Sequence, residues 1–446
     1  MDFSFFYTDF PSTAYTGDFF RSLLMGLSLL LFIFLLSLFI KDRKQQFYFA
    51  LIAGGIFAFK ILIIFLNEHY RILPRKPAGN FVLWFYWYAE NYSATRILEG
   101  RVQPTFLVQF LVNYPFIYLF GIARENVLLV NGFFTSMAAV YAFFGLKNIF
   151  GSLTAFLVLI FLTFYPAAIN FSMFGLRDPV IYLFMTMNIV SLIRLYLTKS
   201  YLPLFGIVFS VLAIFSMRPE LFAFLFAPYG FLILWGLISY YKNTKTINNK
   251  LLLMVGSFVV VILPGLMAAY LAYGFVTANI GAVGASPVDI VTTYASNRYD
   301  REAGIGDGSH IVPPNIYHAI PWYARWGLQA LGMIILPFPW LITSVPKVFA
   351  AVDSFFIILM IVGFWWLRKK YLVTGLINVG LKRERIFMAL FITFFTSVGV
   401  MGFIVNNAGN AFRMRMAIFP YIAISTALLL ATVIEYRQKN KNKLSA

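Results

Sequence analysis

A chain of 446 residues that is 61% hydrophobic and only 12% charged, with a mean hydropathy of +0.80, has too little polar surface to cover a soluble fold of its size and is composed for a bilayer. Its net charge of +18 is dispersed over short basic clusters between apolar runs, as the positive-inside rule predicts, which argues against nucleic acid as a partner. With no cysteine there is no disulfide, thiolate metal site or cysteine nucleophile, and the three histidines, His69, His310 and His318, are too few for a histidine-rich metal cage.

The first 18 residues are polar, carry Asp2, Asp9 and Asp18 and have no basic start, so a short tail is expected there instead of a cleavable signal. Apolar runs follow at 21–40, 47–66, 127–145, 152–169, 180–197, 202–217, 221–240, 251–275, 349–367, 386–405 and 416–434, each long enough to cross about 30 Å of hydrocarbon. Two more runs are interrupted: 105–122 contains Gln109, Asn113 and Pro115, and 326–345 is broken by Pro337 and Pro339.

Orientation follows from the basic clusters. The strongest are Lys41 with Arg43 and Lys44, the loop with Lys242, Lys245 and Lys250, the loop from Arg368 to Arg385, and the tail with Lys439, Lys441 and Lys443. All four fall on one side only if 105–122 and 326–345 lie along or dip into the membrane without crossing. The expectation is an all-α, polytopic transmembrane helical bundle of about 11 spans, or about 13 if both interrupted runs cross, with the N-terminus outside and the C-terminus inside. One integral membrane domain would cover 1–446, with a first outer loop at 67–126 bearing interfacial helices. A second outer loop would occupy 277–345, long and glycine-rich over 277–325 and half-inserted at its end.

This topology sends most acidic residues near membrane ends to the outer face. The first loop supplies Glu68, an aromatic run at 81–88 suited to the interface, and Glu90 and Tyr92. The Arg177-Asp178 pair opens one span and Arg218-Pro219-Glu220 another, each joining a guanidinium to a carboxylate at a helix N-terminus, where anions are favoured. Asp178 fits equally well as a plain helix cap ahead of Pro179. The second loop contains His310, and an asparagine-rich turn before the last span carries Arg413 and Arg415, two cations against the positive-inside bias. Arginine grips phosphate oxygens bidentately, so Arg177, Arg218, Arg413 and Arg415 are candidates to hold a lipid-linked phosphate or diphosphate.

Taken together these motifs resemble the polytopic C-type membrane glycosyltransferase superfamily (GT-C), and neighbouring polysaccharide polymerases. The features are Glu90 and Tyr92 ahead of Gly100, Arg177-Asp178, the Met-Arg-Pro-Glu of 217–220, the Pro-Phe-Pro-Trp of 337–340, and the Asn-x-x-Gly-Asn-x-x-Arg-x-Arg of 406–415, with Pro420 following. The resemblance implies an inverting sugar transfer from a polyprenyl-phosphate-linked donor to a glycan or lipid acceptor, at the extracytoplasmic face of an inner (plasma) membrane. It implies a catalytic Glu90, with Asp178 as a second carboxylate. Where many members carry an acidic pair after the first outward span, this chain has Asn67-Glu68-His69, so Glu68 and Glu90 both stay candidates. Glu220, Tyr92 and His310 join the four arginines as substrate-binding candidates. A carboxylate would take the acceptor proton, and arginines or a divalent cation would stabilise charge on the departing phosphate. A polymerase acting on undecaprenyl-diphosphate-linked oligosaccharides, or a flippase of lipid-linked sugars, are the alternatives.

Overall fold

A computed structural model describes residues 19–70, 112–113, 115–116, 119–120, 124–173, 176–198, 200–218, 221–243, 311–312, 314–337, 345–377, 380–402, 405 and 408–444. Among them every regular element is helical, and the chain divides into two compact units, Met1–Pro219 and Glu220–Ala446.

In the first unit, helix α1 (Phe19–Ser37) leads through a tight turn to α2 (Arg43–Phe49), whose N-cap Asp42 accepts the Gln45 N–H at 3.0 Å. A π-helical segment (Ala50–Gly54) continues without a break into α3 (Gly55–Tyr70). Gly54 has a packing reason: a Cβ there would meet the Phe34 ring of α1 at 2.6 Å. Helix α4 (Arg124–Phe150) reverses into α5 (Ser152–Thr163) at Gly151, whose φ of 90° only glycine adopts without strain. Pro166 cannot donate into a continuing helix, so α5 ends and α6 (Pro166–Ser172) starts at a bend of 51°. Helices α7 (Asp178–Thr198) and α8 (Pro203–Met217) complete the unit.

Side-chain contacts fix the directions. Phe49 stacks near Phe143, and Lys60 bonds Thr135, so α3 runs antiparallel to α4. Asn131 bonds the Leu176 carbonyl, and Tyr141 bonds Ser191, so α7 runs parallel to α4. Ser152 Oγ donates to Gln45 Oε1 at 2.9 Å, which brings the α4 to α5 turn to the basic Lys41 to Lys44 end. The starts of α4 and α7 and the ends of α3 and α8 therefore gather at the opposite end.

The second unit contains α9 (Phe222–Asn243), a short α10 (Pro314–Tyr317), α11 (Trp322–Ile335), α12 (Val345–Leu367) with a π-helical turn (Arg368–Val373), α13 (Leu381–Met401) and α14 (Ala408–Leu444). Phe364 of α12 and Phe391 of α13 stack with centroids 4.1 Å apart. Thr426 of α14 bonds the Met360 carbonyl of α12, and Tyr421 bonds the Phe224 carbonyl of α9 at 2.8 Å. Helix α11 lies against the end of α13: Trp326 Nε1 donates to the Gly399 carbonyl, and a Cβ on Gly402 would come within 2.8 Å of the Ala330 backbone nitrogen. Its opposite face exposes Leu328 and Leu331, and its first turn exposes Trp322 and Tyr323.

Seven helical runs among the described residues are long and apolar enough to cross a membrane, eight if the bent α5/α6 pair counts as one span. They match the expected runs 21–40, 47–66, 127–145, 180–197, 349–367, 386–405 and 416–434, with 152–169 as the bent pair. The runs at 202–217 and 221–240 appear as shorter apolar stretches, Pro203–Met217 and Phe224–Gly236. The expected span 251–275, most of 105–122 and the long part of the second outer loop lie outside the described residues. Of the interrupted run 326–345, the structure describes α11, whose 14 residues would extend roughly 21 Å, less than the hydrocarbon thickness.

Candidate functional site

The Arg177-Asp178 pair sits where α7 begins. The Arg177 carbonyl accepts the Val180 and Ile181 N–H groups at 3.1 Å each, so Arg177 occupies the cap position and Asp178 is the first helical residue, one place later than a simple Asp178 cap would require. The neighbouring α8 ends at Arg218, whose own N–H closes the last turn on the Ile214 carbonyl at 2.7 Å.

These two ends are crossed over each other. Arg177 Nη1 donates to the Met217 carbonyl at 2.5 Å, and Arg218 Nη2 donates to Asp178 Oδ1 at 3.2 Å. Consecutive residues of one helix start thus reach consecutive residues of the other helix end. The charges also suit the backbone: Asp178 lies at the positive N-terminus of α7, and both guanidinium groups lie near the negative C-terminus of α8. Asp178 and Arg218 are buried, at 5% and 4% exposure, whereas Arg177 is only half-buried. Asn131 of α4, fully buried, donates to the Leu176 carbonyl at 3.1 Å and so fixes the approach to the clasp.

Glu68 is half-buried near the end of α3, at the same end of the unit as the clasp. Glu90, Tyr92, Glu220 and His310 lie outside the described residues.

Arg415 occupies a different setting, inside the second unit. It and Asp353 are wholly buried at 0% exposure, with Arg415 Nε 3.1 Å from Asp353 Oδ2. Arg415 also donates to Ser354 Oγ, to the Leu336 carbonyl at 2.9 Å and to the Ile334 carbonyl at 3.4 Å. It therefore braces α14 against α12 and the chain leaving α11. Arg413, two residues earlier, is half-buried.

Two charged residues that sequence reasoning passed over emerge here. Asp353 stands inside the apolar run 349–367, and Lys60, buried at 1% exposure, inside 47–66, where its amine donates to Thr135 Oγ1 at 2.7 Å and Ser136 Oγ at 3.1 Å. The signal was available: an ionisable residue within a membrane-length apolar run is expensive and demands a partner.

Chemically, two guanidinium groups and a carboxylate at one helix junction can hold a phosphate and orient a proton acceptor. Among the described residues no three of His, Cys, Asp and Glu cluster as a metal centre. Comparisons with protein-family models, with curated proteins and with solved structures find no match to this chain.

Proposed function

We propose that this protein is a membrane glycosyltransferase that moves a sugar from a polyprenyl-phosphate-linked donor to a glycan or lipid acceptor at the outer face of the membrane. The observation that supports it most is the Arg177, Asp178 and Arg218 clasp: a carboxylate and two guanidinium groups at one end of a helical unit whose basic cluster, Lys41 to Lys44, lies at the other end. With basic residues facing the cytoplasm, the clasp faces outward, at the level of lipid headgroups.

In this reading Arg177, half-buried, meets the donor phosphate, while Arg218 and the N-terminus of α7 stabilise negative charge as the phosphate departs. Glu90 or Glu68 takes the acceptor hydroxyl proton, and Asp178 holds Arg218 in place. Arg413, Glu220, Tyr92 and His310 are assigned to substrate binding, and Arg415 to supporting the segment that follows α11.

The test is transfer of labelled sugar from a polyprenyl-phosphate donor by the purified full chain. Arg177→Met, Arg218→Met and Glu90→Gln are each expected to lower turnover at least about tenfold, roughly 1.4 kcal/mol of barrier. If none of the three does so, or if labelled lipid crosses a vesicle membrane without product forming, the proposal fails.

A further inference from the structure

At the basic end of the second unit, the last turn of α12 exposes Trp365 and Trp366 at 54% and 52%, side by side where the apolar span gives way to charge. Indole rings at that level anchor to the membrane interface. The helix then widens into the π turn Arg368–Val373, a geometry that alters the direction of successive side chains.

The cations there are held by rings. Arg368 lies over Trp365 at 5.8 Å and Lys370 over Trp366 at 4.9 Å. Lys370 and Arg437 both lie near the Tyr371 ring, at 5.8 and 5.3 Å. Tyr371, at 5% exposure, is a fixed post, and its hydroxyl accepts from Arg437 Nε at 2.7 Å and also from Nη2. Arg437 belongs to α14, whose 37 residues extend roughly 55 Å, well past the hydrocarbon.

Among the described residues, none of Arg368, Lys369, Lys370 and Arg437 pairs with a carboxylate. Arg368, Lys370 and Arg437 are thus held around these rings, with Lys369 between two of them in the turn, and among the described residues none has a carboxylate within ion-pair distance, beside an exposed indole pair. Stacking on rings holds a cation in position without neutralising it.

We propose that this junction of the π turn and the C-terminal helix is a binding site for an anionic phospholipid. Its headgroup phosphate sits among Arg368, Lys369, Lys370 and Arg437, and its acyl chains lie along Trp365 and Trp366. Basic pockets of this kind between membrane helices recognise lipid phosphates. The adjoining tryptophans favour a lipid over a free phosphate, which has no apolar part to place on them.

Because the chain has no cysteine, Leu376→Cys provides one labelling position just past the turn, at 52% exposure. The full chain, carrying a bimane there, is reconstituted in phosphatidylcholine bilayers with a minor fraction of brominated lipid. Brominated phosphatidylglycerol is expected to quench the label more strongly than brominated phosphatidylcholine at equal fraction. Lys369→Gln, at an exposed side chain, should lower that preference about fivefold, and Lys369→Gln/Lys370→Gln/Arg437→Gln should abolish it. Lys41→Gln/Arg43→Gln/Lys44→Gln, an equal charge change in the first unit, should leave it intact. Equal quenching by the two lipids in the parent chain, an unchanged preference in Lys369→Gln, or displacement of the lipid by inorganic phosphate would each overturn the proposal.

Discussion

The two units each bury an arginine and an aspartate in contact, yet the pairs are built for different work. Asp353 and Arg415 lie within helices, at 0% exposure, and the three nitrogens of the guanidinium each reach a carboxylate, hydroxyl or carbonyl oxygen of the same unit. Asp178 and Arg218 lie at helix ends, at 5% and 4% exposure, next to a second arginine that reaches the surface. Burial by itself therefore does not mark a site. What distinguishes the two is position: the first pair lies inside a bundle, where it acts on packing, whereas the second lies where two helices end, the place at which the proposed donor phosphate would be met.

The largest effect should come from splitting the inner pair. Asp353→Ala leaves Arg415 charged and without its carboxylate, and a loss of about 3–5 kcal/mol is expected, read as a fall in the thermal unfolding midpoint in detergent. The double variant Asp353→Leu/Arg415→Met should recover most of that loss, because no charge is stranded. If the double variant is as unstable as Asp353→Ala, the brace depends on the carbonyl contacts of Arg415 more than on the ion pair.

Splitting the outer pair should cost less. Arg218→Met is expected to lower stability by about 1–3 kcal/mol, since the N-terminus of α7 still favours the Asp178 charge, while lowering turnover more than Asp353→Leu/Arg415→Met does. Equal activity loss in both units would erase the distinction. Arg177→Lys tests it more finely: the lysine keeps the charge but not the bidentate fork, so the donor KM should rise several-fold with little change in the unfolding midpoint. A stability loss without a KM change would make Arg177 a tie to Met217 alone.

A packing effect of intermediate size is expected at Gly402, where Ala must displace the Ala330 backbone of α11 at 2.8 Å. Overpacking of this kind costs about 1–3 kcal/mol, and Trp326 fluorescence should report the shift of α11 through its bond to Gly399. The smallest effect belongs to Lys60→Met. Thr135 and Ser136 keep their bonds to the Gly132 carbonyl at 2.9 and 3.0 Å, and no carboxylate is left behind, so the unfolding midpoint should stay the same or rise. A large loss would reveal that the Lys60 amine carries structure that the two hydroxyls cannot.

Much of the fold was legible in the sequence. Seven expected spans coincide with helices, and the bend in 152–169 falls at Pro166, because length, apolarity and proline act locally. The basic ends were legible for the same reason: Gln45 and Ser152 meet beside one cluster, and Arg437 meets Tyr371 beside another. The candidate site was legible only in part. Arg177 and Asp178 stood out as neighbours, but their partners, the Met217 carbonyl and Arg218, come from a helix end 40 residues further along.

By itself, then, the amino-acid sequence determined the class of molecule and the position of most of its described apolar helices, since each follows from the cost of exposing or burying a stretch of chain. Only the tertiary structure decided which arginine serves which carboxylate. It joined Arg218 to Asp178 at a junction of two helix ends and sealed Arg415 with Asp353 inside a bundle. Two arginines of identical chemistry parted there because the worth of a charge is set by the dielectric and the acceptors that folding brings around it.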